Sequence, residues 1–583
     1  MYLRTTSRRT TSGKVVRYLQ LAHNERNERG VPVARVIANL GREDQLDRKA
    51  LARLVRSISR VLGAREERQA LTPEGFEFLR APELGGPHLI GALWEELGIG
   101  RALWRVARAS RQRRDVERAI FAMVAQRCLE PASKLEATRW VGRDVALAGV
   151  EAVSDDQLYR AMDFLLACQE RVQESVFFSV ATLLNLEVDV VFFDTTSTYF
   201  EMDIEEEEDR DADAHEPQTA TTKADQDAPA APGPLRRLGH SKDHRPDLPQ
   251  VVIGLAVTRE GVPVRVWVWP GNTQDQTVIE EVKRDLSGWR LGRAIYVVDA
   301  GCASQKNLSH LREHGGHYIA AVKLRSGMPE TEHALSRQGR YRTVADNLKV
   351  KQVMVGSGEA ATRYVVCHNP HEAARDKSRR ERKIRRIEEE LVRLEHERRR
   401  ARGDTAKQAH TKAECALRDH KALGRYVRQT ASGRLVLDRQ KVATEERLDG
   451  KYLITTSDPK LSAEEVALGY KRLLEAERSF RDLKGTLALR PVYHRKDERI
   501  RAHVLICFLA LVVIRVAELR AGATWRTIRA ELGEIRLGHF RSGEGSFTKT
   551  TTLTSSQREL LRALGVPEPP SIGSVVPHAA AAA

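Results

Sequence analysis

Apolar and polar positions change rhythm several times along the chain. Residues 1–41 hold three runs of strand character, YLRTT, VVRYLQLAH and VPVARVIANLG, with Ser12-Gly13 and Arg29-Gly30 as turns. A helical rhythm follows, in which Leu51, Leu54, Val55, Ile58, Val61 and Leu62 recur three and four apart beside a stripe of Arg53, Arg56 and Arg60. Residues 87–186 read as helix after helix. Ser154 and Gln157 have capping-box spacing and open SDDQLYRAMDFLLAC, with Leu158, Met162 and Leu165 on one face. At 187 the period changes again: VDVVFFD is a continuous apolar run ending in Asp194, the pattern of a strand buried on both faces.

Residues 201–216 then carry ten acidic side chains and lead into an Ala/Pro/Thr-rich stretch, so 201–234 predicts a disordered surface insertion. Beyond it, VVIGLAVT and VPVRVWVW are joined by Arg259-Glu260-Gly261, a hairpin signal. Thr273 and Gln276 have capping-box spacing and predict a helix through about Leu286. AIYVVD is a second buried strand, ending at Asp299, and a helix near 303–314 and the strand HYIAAVKL follow. Three strands, a helix, a strand, a helix and a strand is the element order of the ribonuclease H fold, whose first and fourth strands are neighbours. The sequence supplies the order, and the adjacency comes from matching it to that fold.

Residues 326–455 interrupt this unit. RRERKIRRIEEELVRLEHERRRARG places Ile384, Ile387, Leu391 and Leu394 on one stripe, under two heptads long, which reads as a charged helical hairpin. RLVLDRQ and KYLITTS have strand character. A helix over about 462–484 comes next, then a buried helix at 504–514, and PHAAAAA at the end predicts a frayed tail. The chain therefore divides into 1–86 (β plus helix), 87–186 (helical), 187–325 (first part of the core, with insertion 201–234), 326–455 (insertion domain), 456–545 (completion of the core) and 546–583 (tail). The expected class is α/β multidomain, with a ribonuclease H-like core.

Length agrees with several domains, since 583 residues at about 150 per domain give three or four. Charge narrows the partner. Lys+Arg is 96 against Asp+Glu 80, a formal net +16, which points to a polyanion. The 87–186 helices are then either a plain bundle or a DNA-binding helix-turn-helix, and the arginine stripe at 53–60 either a solvated face or a DNA-contacting arm. A membrane fits less well. The run Val504 to Ile514 reaches only about 16 Å as a helix, and MYLRTTSRRTTSGK lacks an apolar signal core. The six cysteines have no CxxC spacing, which excludes that type of zinc site and argues against a disulfide scaffold. The expectation is a cytoplasmic, nucleoid-associated protein.

Asp194 and Asp299 are the first candidates for chemistry. If their strands are neighbours, the two carboxylates repel unless a cation lies between them. Mg²⁺ takes oxygen ligands and leaves positions for phosphate and water. In GYKRLLEAERSFRDLKG, Tyr470, Glu477 and Lys484 stand seven apart, a step that drifts only about 20° around a helix. They share a face, extended by Phe480 and Arg481, that reads either as a solvated face with Glu477–Arg481 pairing or as a metal–phosphate site. Three carboxylates so arranged suit two-metal phosphoryl transfer. Paired carboxylates also serve glycosidases, but aromatics at 5% leave little for stacking sugars.

These residues resemble the DDE transposases of bacterial insertion sequences, in the IS-four-like superfamily with signature Y-x2-R-x3-E-x6-K. Tyr470, Glu477 and Lys484 match at the right spacing; Leu473 stands at the Arg position, with Arg472 before it. The spacing selects Glu477 over Glu475. VVFFDTTSTYFE, AIYVVDAGCAS, GHSKDHRPDLPQ, PGNTQD, DGKYLITTS and PVYHRKDERIRAH are also similar to family segments. The resemblance implies that Asp194, Asp299 and Glu477 are catalytic and hold two Mg²⁺ (or Mn²⁺). It implies that Tyr470, Arg472, Arg481, Lys484, Lys242 and Arg245 contact DNA. Terminal inverted repeats, target DNA and a homodimeric synaptic complex are the implied partners. A nuclease or resolvase of the same fold without strand transfer, and an inactive DNA-binding remnant, are the alternatives.

Overall fold

The computed structural model describes the chain apart from residues 1, 10–14, 27–31, 47–76, 110–114, 187–189, 202–233, 290–293, 323, 325–328, 338, 358–360, 401, 493, 543–544 and 578–583. The turns at Ser12-Gly13 and Arg29-Gly30, the helix at 51–62 with its arginine stripe, nearly all of the acidic insertion and the final alanines lie outside the described residues. The rest forms two compact units.

One unit comprises Met1–Arg80, Gly538–Lys549 and Ile572–Ala583. The three expected N-terminal strands, Tyr2–Arg9, Val15–Arg26 and Pro32–Arg42, form an antiparallel sheet. A second sheet pairs Glu77–Arg80 with strands from the chain's end. The segment read as a tail thus contributes strands Gly545–Thr550 and Ile572–Pro577. Between these strands in sequence, and belonging to the other unit, comes helix Ser555–Leu564, opened by a Thr554/Gln557 capping box that the sequence reading passed over.

The larger unit begins with six helices between Gly85 and Leu183. Ser154 and Gln157 form the predicted capping box. Helix Asp115–Leu129 is buried along almost its whole length and so lies inside a bundle. The central sheet follows. Its strands are β1 (Val190–Tyr199), β2 (Gln250–Val257), β3 (Pro263–Pro270), β4 (Ile295–Val298), β5 (His317–Val322), β6 (Arg342–Ala345), β7 (Leu348–Val355), β8 (Thr362–His368) and β9 (Lys451–Thr456). The order across the sheet is β3-β2-β1-β4-β5-β9-β8-β7-β6. β1 and β4 pair in parallel, as the fold match required. In β1, Val190 and Phe192 face one core while Val191 and Phe193 face another, which is why its apolar run is continuous.

The first core is closed by α7 (Asp497–Ala521), the second by α1 (Ile279–Ser287) and α2 (Gln305–Arg312). The α7 helix extends well past the 504–514 run at both ends and packs on helices Asp115–Leu129 and Asp155–Ala167 and on β3. It is long and apolar enough to cross a membrane, but 94% of its most apolar window is buried within the protein. The segment 326–455 is only partly an insertion. Its strands β6 to β8 and most of β9 extend the same sheet, because β9 pairs with β5. What projects is the charged hairpin α3 (Pro370–Arg400) and α4 (Asp404–Arg418), with Ile387 and Leu394 inside its small core.

Candidate active site at the sheet edge

β1 does not stop at Asp194 but runs on to Tyr199. β4 is shorter and stops at Val298, so β1 overruns it. Phe192 lies opposite Val297 in the parallel register, so two residues further on Asp194 and Asp299 stand at equivalent positions. Backbone N–H groups hold one oxygen of each carboxylate. Thr195 N donates to Asp194 Oδ1 at 2.7 Å, and Gly301 N and Cys302 N donate to Asp299 Oδ1 at 2.9 and 3.0 Å. Burial pushes the Asp194 carboxyl up to about 6, with Asp299 and Asp275 adding to the rise and Lys242 opposing it.

The helix expected over 462–484 is broken. It consists of α5 (Ala463–Lys471), with a Ser462/Glu465 capping box, and α6 (Leu474–Lys484). Between them the backbone tightens into i to i+3 hydrogen bonds, Leu473 N to Tyr470 O and Ala476 N to Leu473 O. Leu473 is buried in the core, so this chain uses the signature Arg position for packing, and Arg472 is left exposed at the break. Phe480 is also buried, contrary to its expected place on the polar face. Glu477 and Arg481 remain exposed together on α6. Glu475 turns the other way and pairs with Arg515 of α7 at 2.7 Å.

Tyr470 stands near the end of α5, its ring 6.0 Å from that of Tyr452 in β9. Burial pushes its hydroxyl up to about 12, and Asp299, Asp194 and Glu477 all add to that rise, so it lies within electrostatic reach of all three. Among the described residues, no three His, Cys, Asp or Glu side chains lie close enough to cage a metal ion unaided. In the parallel register the two strand aspartates stand at equivalent positions, and Glu477 does not complete a three-ligand cage with them.

Lys242, Lys484 and Arg245 are each paired with an aspartate. Lys242 is drawn in among the carboxylates, donating to Thr195 O at 2.8 Å and Thr195 Oγ1 at 2.6 Å and lying 3.1 Å from Asp275 Oδ2. Lys484 pairs with Asp243 at 2.9 Å, and burial lowers its ammonium below the usual lysine range. Arg490 holds the other oxygen of Asp243 at 2.8 Å. Arg245 pairs with Asp247. Arg245 and Arg490 each lie 5.3 Å from the Tyr199 ring centre.

Asp275 is the acid that the sequence reading missed. The expected Thr273/Gln276 cap does not form, since Pro270 O holds Thr273 N and the helix begins only at Ile279. The intervening turn lays Asp275 against the site, where its Oδ1 accepts from Thr195 Oγ1 at 2.5 Å. Asp275 closes the PGNTQD segment, the one sequence signal that pointed to it.

The chain matches the family model for the transposase DDE domain over residues 210–513. It belongs to the DDE transposases. Its residues 3–69 also match the N-terminal domain of IS1634 family transposases. No curated protein matches this transposase. Among solved structures it is similar to a piggyBac transposase synaptic complex with hairpin DNA. The identity is 9% and the TM-score 0.32, over 72% of this chain and 70% of that one.

Proposed function

We propose that this DNA transposase binds the terminal inverted repeats of an insertion sequence, cuts at the element ends and joins the freed 3′-OH ends to target DNA. The observation that carries the reading is the β1/β4 register, which brings Asp194 beside Asp299, with Tyr470 in reach of both and of Glu477. The donor set fits a divalent cation. It is all oxygen, one oxygen of each aspartate is anchored by backbone, and the raised Asp194 carboxyl is eased by positive charge. Mg²⁺ commonly takes one or two carboxylates and fills its remaining positions with phosphate and water, so a site that is not a closed cage is suitable.

Asp194, Asp299 and Glu477 would hold two Mg²⁺, with Mn²⁺ able to substitute. When bound, these ions supply Lewis-acid activation of the attacking and leaving oxygens. The chain's own groups hold and orient the DNA. The Tyr470 hydroxyl stays protonated and donates to a phosphate oxygen. Lys484 neutralises a phosphate by exchanging Asp243 for it. Arg472 and Arg481, both exposed, would meet the flanking DNA backbone, as would Lys242 and Arg245. Two copies act together, one per element end, on DNA in the cytoplasm.

The test incubates the full chain with Mg²⁺, a duplex carrying the element end and a supercoiled plasmid. Joined product is expected, and chemical cross-linking is expected to trap a dimer on paired ends. Cut ends with no joined product would convert the reading to that of a nuclease.

A further inference from the structure

Asp275, Thr195 and Lys242 form a closed ring beside the first catalytic strand. Thr195 Oγ1 donates to Asp275 Oδ1 at 2.5 Å and accepts from Lys242 Nζ at 2.6 Å, while Lys242 Nζ lies 3.1 Å from Asp275 Oδ2. Lys242 Nζ also donates to Thr195 O, so its three protons have partners within the ring. The backbone beneath is fixed as well, since Lys242 N donates to Ser197 Oγ at 2.9 Å.

The turn carrying Asp275 is bound equally to the other catalytic loop. Cys302 Sγ lies 3.6 Å from Asp275 O. Asn307 Nδ2 donates to both Gln276 O and Cys302 O at 2.8 Å. A Cβ on Gly301 would lie 3.2 Å from both Asp299 oxygens and 3.6 Å from Asp275 Oδ2, so the two carboxylates crowd the same point and only glycine leaves that space open. Asp275 therefore touches the residue after Asp194 and faces Asp299 across Gly301. A surface ion pair would show neither feature.

The chemistry of the ring indicates its use. An ammonium loose among aspartates would compete with a divalent cation for them. Bound to Asp275 and Thr195, it is kept at a fixed distance, and β1 is fixed at the residue that orients Asp194. We propose that Asp275 is a positioning residue that, through Thr195 and Lys242, sets the affinity of the Asp194/Asp299 pair for its divalent cation. This rests on the metal-site reading above and adds to it an acid outside the three-carboxylate set.

The test measures Mn²⁺ binding to the DNA-free full chain by electron paramagnetic resonance, together with the Mg²⁺ dependence of end cleavage. Asp275→Asn keeps the shape and removes the charge. It is expected to weaken Mn²⁺ binding about tenfold or more, as loss of an outer-shell partner does. The Mg²⁺ needed for half-maximal cleavage should rise in parallel. Thr195→Val should shift both in the same direction by less, and Asp275→Glu should recover most of the loss. Unchanged Mn²⁺ affinity in Asp275→Asn would overturn the proposal, as would a lower cleavage rate at an unchanged metal requirement. If wild type binds Mn²⁺ and Asp275→Asn weakens it, but no DNA is cut, the positioning role stands and the transposition reading fails. If Asp194→Ala binds Mn²⁺ as well as wild type does, both fail.

Discussion

On the acidic rim of the site the backbone holds the side chains. Asp194 and Asp299 each accept N–H bonds from the residues that follow them, and the β1/β4 register aligns the two. On the basic rim, side chains hold side chains. Lys484 and Arg490 share Asp243, Arg245 takes Asp247, and Arg472 and Arg481 are exposed. Backbone bonds persist whatever ligand is present, whereas an ion pair can be exchanged for a phosphate. The acidic rim is thus built as a fixed site and the basic rim as a set of replaceable contacts.

The largest break in this comparison comes from removing the fixed acids. Asp194→Ala, Asp299→Ala or Glu477→Ala is expected to lower end cleavage by at least about 10³-fold, on the order of 4 kcal/mol of transition-state stabilisation. End binding in a gel-shift assay should survive. Substantial cleavage by any one of the three would remove that residue from the site.

A smaller effect is expected on the replaceable side. Lys484→Ala should raise the DNA concentration for half-maximal cleavage about tenfold, the loss of one charge-assisted contact. Asp243→Asn should act in the opposite direction, freeing Lys484 and Arg490 and tightening DNA binding at low salt. Equal losses from both variants would mean that the pair is structural and does not exchange.

The smallest effect sharpens the acidic rim through its pH dependence. With its folded pKa near 6 and its usual value at 3.8, Asp194 binds more protons folded than unfolded between those limits. Stability of the metal-free protein therefore falls as pH rises through that window, and the full cost is present at pH 7. Asp194→Asn should raise the melting temperature by a few degrees at pH 7 and leave it near wild type at pH 4. Added Mg²⁺ should stabilise wild type and not the variant. A melting-temperature difference between wild type and Asp194→Asn that does not change between pH 4 and 7 would contradict the burial argument.

Much of the fold could be read from local pattern. The apolar runs of β1 and β4, the hairpin β2/β3 and the Ser154 cap depend on near neighbours and form where expected. The errors share a cause. The helix at 462–484 has good heptad spacing, yet Leu473 packs into the core and the backbone tightens there, so Tyr470 and Glu477 lie on separate helices. Thr273 and Gln276 have cap spacing, but Pro270 O takes the Thr273 N–H that the cap would have held, and the helix starts only at Ile279. Strands β6 to β9 were set apart as an insertion because pairing with β5 joins residues more than a hundred positions apart in sequence.

Sequence by itself determined the candidate carboxylates, the positive charge of +16 and the spacing of Tyr470, Glu477 and Lys484. Periodicity and charge are local or additive and need no partner. Tertiary structure alone decided which acid faces which cation. It joined Asp243 to Lys484 across 241 positions, and Asp275 to Thr195 across 80. It also placed Lys242 against Asp275. Hydrogen bonds and ion pairs depend on distances of about 3 Å, and only the packing of β1, β4, α6 and the turn before α1 sets those distances.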